Sequence, residues 1–175
     1  MTNITIELCT TLPPREELNT ILSQYYDLIV ARMRDMGFDL DLAATQSAMA
    51  EFWAKSDDYL PPNGCLVIAR NATGDIVGCA MMKRFDEHTC ELKRVYVAPE
   101  ARGTGTGRAL IEARENVARS MGMKRLIADT LTPNVEMRSL YPKLGFVELD
   151  EPIETTSYRD HPSVRPHMHF FEKLL

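Results

Sequence analysis

Three strand-like runs, Cys65 to Arg70, Ile76 to Arg84 and Thr89 to Val97, are joined by connectors of only five and four residues. A parallel pair needs a crossover of a dozen or more residues, so runs this close together must pair antiparallel. The first connector, Asn71-Ala72-Thr73-Gly74-Asp75, has hairpin-turn chemistry. The turn signal Pro61-Pro62-Asn63-Gly64 precedes the first run, and Pro99 closes the third. An antiparallel meander at mid-chain is therefore the frame that the remaining segments must join.

Before the meander, Asn3 to Cys9 alternates as a strand does, with Ile4, Ile6 and Leu8 on one face. Pro13-Pro14 breaks the chain. Leu18, Ile21, Leu22, Tyr25, Leu28, Ile29, Met33 and Met36 then recur at helical spacing, and Gly37 is placed to stop that helix. A second helix is predicted from about Leu42 to Lys55, with Asp39 or Asp41 as its cap. After the meander, a helix runs from Thr104 or Thr106 to Met121, with Leu110, Ile111, Val117, Ala118 and Met121 as its buried stripe and Gly122 at its end. A strand over Lys124 to Thr130, a helix over Pro133 to Leu144, a strand over Phe146 to Leu149 and a last strand over Met168 to Lys173 complete the chain. Repeats and linkers are lacking, so residues 1–175 read as a single α+β domain.

The N-terminal residues Met1 to Glu7 lack a basic flank and apolar core, and no run approaches the length needed to cross a bilayer. The expectation is a cytoplasmic protein with no membrane partner, in which Cys9, Cys65, Cys79 and Cys90, lacking any CxxC pair, are reduced core thiols. A formal net charge of −5 argues against nucleic acid as a partner and is compatible with a cationic amine.

The segment Arg102-Gly103-Thr104-Gly105-Thr106-Gly107-Arg108 alternates three glycines at a strand-to-helix junction. Glycine lets backbone approach a ligand closely, and N–H groups converge at a helix N-terminus where the dipole favours an anion. A pyrophosphate cradle fits this pattern, and so does a tight turn with no ligand. A Walker A loop fits poorly, because no lysine stands where it is required. A dinucleotide fingerprint needs G-x-G-x-x-G after the first strand of a parallel unit, whereas this loop is G-x-G-x-G after a meander.

Arg102-x-x-Gly105-x-Gly107 has the spacing of the Arg/Gln-x-x-Gly-x-Gly/Ala signature of the GNAT acyltransferases. The run Leu92 to Ala101 resembles that family's strand into the loop, and Leu140-Tyr141-Pro142-Lys143-Leu144-Gly145-Phe146 resembles its LYxxLGF motif. The resemblance covers most of the chain and is strongest from about Cys90 to Leu149. It implies a mostly antiparallel central sheet of about seven strands flanked by about four helices. It also implies an N-acetyltransferase that moves an acetyl group from acetyl-CoA directly to an amine in a ternary complex. The alternative is a non-catalytic acyl-CoA-binding or sensing module of the same fold. Nucleotide binding through the loop is a third, weaker reading.

By the same resemblance, backbone N–H groups from Gly103, Thr104, Gly105, Thr106, Gly107 and Arg108, with Arg102, hold the phosphates, and the pantetheine lies along Val95, Tyr96 and Val97. Glu91 is the candidate base, against a glutamate paired with Lys93 or Arg94. Tyr141 is the candidate acid, against a tyrosine packed in the core. Asn134 caps its helix or touches the pantetheine, the cap being favoured. His167 and His169 lie on one face of a strand near His161, but lack a third ligand at metal spacing. No metal is expected, and a place in the acceptor pocket suits them better. The methionines read as core filler, with Met33, Met36 and Met49 bordering the acceptor site. Acceptor choice falls to the N-terminal helices and to the loop from Glu151 to Pro166, where Tyr158, Arg159 and Arg165 suit a carboxylate. The expected partner is a small-molecule amine or amino-acid-like acceptor, ahead of a protein N-terminus or lysine, and the expected state a monomer or homodimer.

Overall fold

The computed structural model describes residues 3–175; Met1 and Thr2, part of the stretch read as lacking a leader, lie outside them. Seven strands form one sheet: β1 (Thr5–Cys9), β2 (Gly64–Arg70), β3 (Ile76–Arg84), β4 (Thr89–Val97), β5 (Arg125–Leu131), β6 (Val147–Leu149) and β7 (Met168–Leu174), in the order β1-β2-β3-β4-β5-β7-β6. All neighbours pair antiparallel except β4 and β5. The helices are α1 (Arg15–Asp35), α2 (Ala44–Ala54), α3 (Thr106–Ser120), α4 (Val135–Lys143) and α5 (Thr156–Asp160).

Helix α1 follows Pro14 and places Glu16 and Glu17 in its first turn and Arg32 and Arg34 in its last, each favourable to the helix dipole. Its buried residues Leu18, Ile21, Leu22, Tyr26 and Val30 follow one helical stripe. Gly37, at φ +93°, turns the chain out of the helix as its position predicts. The α2 cap differs from expectation: Asp41 accepts from Ala43 N, one step too early, and Ala43 at the N-cap has no side-chain bond. Tyr96 of β4 reaches Gln24 of α1, while its neighbour Val97 faces Gly107 of α3. Successive strand residues point to opposite faces, so α1 and α3 cover opposite sides of the sheet.

The core is continuous through the meander, where β2 and β3 are almost wholly buried. All four cysteines are free and buried, and burial pushes Cys9 and Cys90 up to about 11 and Cys65 and Cys79 up to about 12. Edge strand β1 leaves Leu8 half exposed, so its inward face is less complete than its alternation suggests.

The segment read as a plain C-terminal loop contains α5 and a 3-10 turn over Pro162–His167. Helix α5 is too short to show a period; it rests on Thr155, whose hydroxyl accepts from Tyr158 N. His167 therefore ends a 3-10 turn and only His169 lies within β7, which corrects the placing of both on one strand. His169 Nδ1 lies 2.7 Å from Glu148, and His167 packs edge-on against Phe38. No helix among the described residues is long and apolar enough to cross a membrane.

Candidate functional site

The parallel pairing of β4 and β5 extends from Thr89↔Arg125 to Leu92↔Ala128 and then stops. Beyond it the strands fork, leaving one edge of residues 93–97 without a strand partner. On the other edge, β4 stays paired with β3, but the register slips between Cys79 and Met81. Arg94 sits at that bulge with φ +49°, an uncommon backbone for a residue other than glycine. Its guanidinium donates to the Tyr26 hydroxyl at 2.7 Å and to the Tyr59 hydroxyl, and lies over the Phe52 ring. Burial works against this charge, but the surrounding phenols of Tyr26, Tyr59 and Tyr25 outweigh it and hold Arg94 protonated. The bulge depends on side chains brought from α1, α2 and the 3-10 turn Ser56–Tyr59 that follows α2, which is why β4 alone gave no sign of it.

From the fork, a groove of about 480 Å³ runs to the glycine loop. Val95, Tyr96 and Val97 form its floor, α1 and α4 its walls, and the loop and first turn of α3 its far end. Ten of the eleven residues assigned from sequence to cofactor binding line it: Val95, Tyr96, Val97, Arg102, Gly103, Gly105, Thr106, Gly107, Arg108 and Asn134. Thr104 does not; its hydroxyl bonds Ala101 O and the Thr106 hydroxyl, both at 2.7 Å, and so braces the loop from within.

Gly103 (φ +75°) and Gly105 (φ +87°) are in the left-handed region, and a Cβ at either would meet nothing within 4 Å. Here glycine is needed for backbone conformation, not for room inside the protein. The first helical bond of α3 is Ala109 N to Gly105 O at 3.0 Å, so the N–H groups of Thr106, Gly107 and Arg108 have no intrahelical partner. They open on the groove with the positive end of the helix dipole, a setting suited to phosphate. Arg102 is engaged by Val97 O at 3.0 Å, and Arg108 lies 3.5 Å from Glu112.

Asn134 begins α4, but its side chain makes no cap bond. The carboxamide instead donates to Thr130 Oγ1 at 2.9 Å and accepts from Arg32 at 2.6 Å, tying α4 to β5 and α1. That corrects the favoured capping role: a partner brought from α1 outcompetes the local N–H groups.

The two residues assigned to acid–base chemistry lie outside the groove lining. Glu91 is fully buried on β4 before the fork and accepts from Lys93 Nζ at 3.1 Å, from Thr156 N at 2.9 Å and from the Thr156 hydroxyl. It therefore pins α5 to the sheet. Lys93 also donates to Ser157 at 2.6 Å and lies 3.9 Å from Asp129. Burial opposes the Lys93 charge, but Asp129 and Glu91 outweigh it and raise its pKa. Asp129 Oδ2 is buried with no hydrogen-bond partner.

Tyr141 follows the groove residue Leu140 on α4 and packs against Phe146 and Phe171 at ring separations of 5.0 and 5.1 Å. Burial pushes its phenol up, and the Arg114 guanidinium acts in the opposite direction. Arg114 is itself fully buried on α3. The sequence analysis did not single it out, although its place four residues after Leu110 and four before Ala118 sets it in the middle of the apolar stripe.

The loop arginines expected to meet a carboxylate have protein partners. Arg159 pairs with Asp160 at 2.9 Å, and Arg165 stacks 4.4 Å from the Tyr158 ring centre and donates to Tyr158 O at 2.6 Å. Among the described residues, no group of three or more His, Cys, Asp or Glu side chains is placed to hold a metal.

Residues 24–146 match the model of the acetyltransferase (GNAT) family. The chain is 29% identical over 126 residues to an uncharacterized N-acetyltransferase of Schizosaccharomyces pombe, covering 71% of this chain and 76% of that one. It spans about half the length of two further relatives, from Azospirillum brasilense and Escherichia coli. Among solved structures, a GNAT family acetyltransferase of Staphylococcus aureus superposes with a TM-score of 0.71 at 17% identity, covering 98% of this chain and 99% of that one. One from Elizabethkingia anophelis with acetyl-CoA bound superposes with a TM-score of 0.63 at 20% identity, covering 99% of both chains.

Proposed function

Because this chain belongs to the GNAT family of acetyltransferases, we propose that it transfers an acetyl group from acetyl-CoA directly to a small primary amine within a ternary complex. The observation that carries this reading is the continuous groove from the glycine loop to the β4–β5 fork. One end offers free N–H groups at a helix N-terminus, suited to a pyrophosphate. The middle offers an unpaired strand edge, suited to the amides of an extended pantetheine. Acetyl-CoA supplies an activated acyl group at the fork.

An alkylamine, like lysine, has a pKa near ~10 and must lose a proton before it attacks. The carboxylates nearest the fork are Glu91 and Asp129. Glu91 already accepts from Lys93 and Thr156, which supports an anchoring role over the role of base. Asp129 retains an oxygen without a hydrogen-bond partner on the fork and is the better placed of the two to take the proton that the ammonium loses before attack. A strand N–H near Val97 suits the charge that develops on the acyl oxygen. As the C–N bond forms and the C–S bond breaks, the sulfur takes the electron pair. Tyr141 gives it a proton and regains one from the nitrogen.

Calorimetric titration of the protein with acetyl-CoA, with ATP and NAD as controls, tests the cosubstrate. Micromolar binding of acetyl-CoA alone is expected. Thiol release with a panel of primary amines then tests transfer. Binding of ATP or NAD without acetyl-CoA would overturn the reading, and acetyl-CoA binding without thiol release would reduce the protein to a binding module.

A further inference from the structure

A buried arginine without an anion is an energetic oddity. Arg114 has no exposed surface, and among the described residues it forms no salt bridge with any carboxylate. Burial pushes the pKa of its guanidinium down, yet an arginine keeps its charge at neutral pH. An uncompensated buried charge of this kind is costly, so its neighbourhood must answer for it.

Part of the answer is structural. Nη1 donates to Met81 O at 2.7 Å and to Lys93 O at 3.2 Å. Met81 and Lys93 are register partners on β3 and β4, at the last pair before the bulge. Arg114 thus holds the two strands together where β4 begins to turn away from β5. That work occupies one nitrogen. Nε and Nη2 remain buried with no hydrogen-bond partner.

The rest of the answer lies in what surrounds the charge. The ionisable groups that act on Arg114 are Tyr141 on α4, Cys65 on β2 and Cys79 on β3. Those that act on Tyr141, besides Arg114, are Asp129 on β5 and Lys93 on β4. Both thiols stay protonated through neutral pH, because burial pushes them up to about 12. Asp129 and Lys93 lie 3.9 Å apart and largely offset each other. Among the charges that act on Tyr141, the Arg114 cation is therefore the strongest, ahead of the opposing Asp129, and Lys93 adds to it. In low-dielectric surroundings the field of Arg114 is weakly screened.

We propose that Arg114 is a positioning residue for the departure of the thiol: its buried guanidinium orients the Tyr141 phenol and provides the positive field in which the coenzyme A sulfur beside that phenol carries negative charge. This rests on the acetyl-CoA reading above. Arg114 acts through Tyr141 and need not touch the ligand. The field favours the thiolate as the C–S bond breaks, and the phenol proton then completes the free thiol.

The test needs no acceptor. Free coenzyme A is bound at saturation to the intact protein, and its ionisation is followed by thiolate ultraviolet absorbance against the unliganded protein. An ordinary thiol ionises near ~8.5. The protein's own cysteines, at about 11 to 12, are silent in that window. The bound thiol is expected to ionise at least tenfold more readily than free coenzyme A. That gain should be lost in Arg114→Gln and largely kept in Arg114→Lys, which retains the charge. A purely structural Arg114 would alter affinity without moving the thiol titration. Equal titration of bound and free coenzyme A in the wild-type protein would overturn the proposal with no variant needed. So would an Arg114→Gln protein that binds coenzyme A and titrates like wild type. Failure of the wild-type protein to bind coenzyme A would instead bring down the cosubstrate reading beneath it.

Discussion

The two ends of the groove are built in opposite ways. The phosphate end is backbone: Gly103 and Gly105 at positive φ, the open N-terminus of α3, and a hydroxyl brace from Thr104 to Thr106. It is exposed and local, and all its parts lie within seven consecutive residues. The fork is side chain: Glu91, Lys93, Asp129, Thr156, Ser157, Arg114 and Tyr141, drawn from five elements and all partly or fully buried. A ligand at the phosphate end meets fixed dipoles that cost little to maintain. At the fork, ionised groups are held out of water, where each pairing is strong and each orphan expensive. The loop therefore suits affinity, and the fork suits chemistry.

The sharpest way to break this contrast is at Tyr141. Tyr141→Phe removes the proton donor and keeps the ring packed against Phe146 and Phe171. Turnover should fall by about 10²-fold or more, the usual scale for a lost general acid, while calorimetric affinity for acetyl-CoA stays within a factor of two or so. Unchanged turnover would remove the phenol from the reaction.

Next in size is Glu91→Gln, which leaves the Lys93 charge with only Asp129, at 3.9 Å. Loss of one partner of a buried pair costs about 3 kcal/mol, read as a lower midpoint in urea denaturation. The thermal or protease resistance of α5 should fall with it. A stable Glu91→Gln protein that has lost turnover alone would restore Glu91 to the role of base.

At the other end, Gly105→Val places a β-branched residue at φ +87°. Open space around the Cβ means that the damage comes through the backbone, which must leave its left-handed conformation and take the N–H groups with it. Acetyl-CoA affinity should weaken at least tenfold, about 1.4 kcal/mol, with folding intact. Unchanged affinity would free the loop from any part in binding. The smallest effect is expected for Gly107→Ala. Its Cβ would sit 3.5 Å from Leu140 and 3.8 Å from Val97, both ordinary contacts, and its φ is not positive. Affinity should change by less than about threefold, roughly 0.6 kcal/mol. A larger loss would mean that the ligand passes closer to Gly107 than to Gly105.

Much of this was legible in the residues. Connectors of a few residues admit only hairpins, so the meander followed from chain length alone. Glycines that break a helical or strand pattern marked the ends of α1, α3 and α4 and the site of the phosphate loop. Ten of the residues that line the groove were named because they lie on the contiguous β4-to-loop segment and at the start of α4, whereas Tyr25, Leu28, Ile29 and Arg32 reach it from α1 and were not. Helix α5, at five residues, is too short for a period to be read, and it is held by Glu91 from a strand 65 positions earlier in the chain.

By itself, then, the sequence determined what depends on neighbours along the chain: the order of the elements, their buried faces, and a turn only glycine adopts. The tertiary structure decided what depends on neighbours in space. Arg32 of α1 took Asn134 from its cap, Thr156 and Lys93 took both oxygens of Glu91, and Tyr26 and Tyr59 steadied the Arg94 bulge. Each of these is a polar group whose burial obliges it to find a partner. Which partner it finds depends on distances through space that the spacing of residues along a chain does not contain.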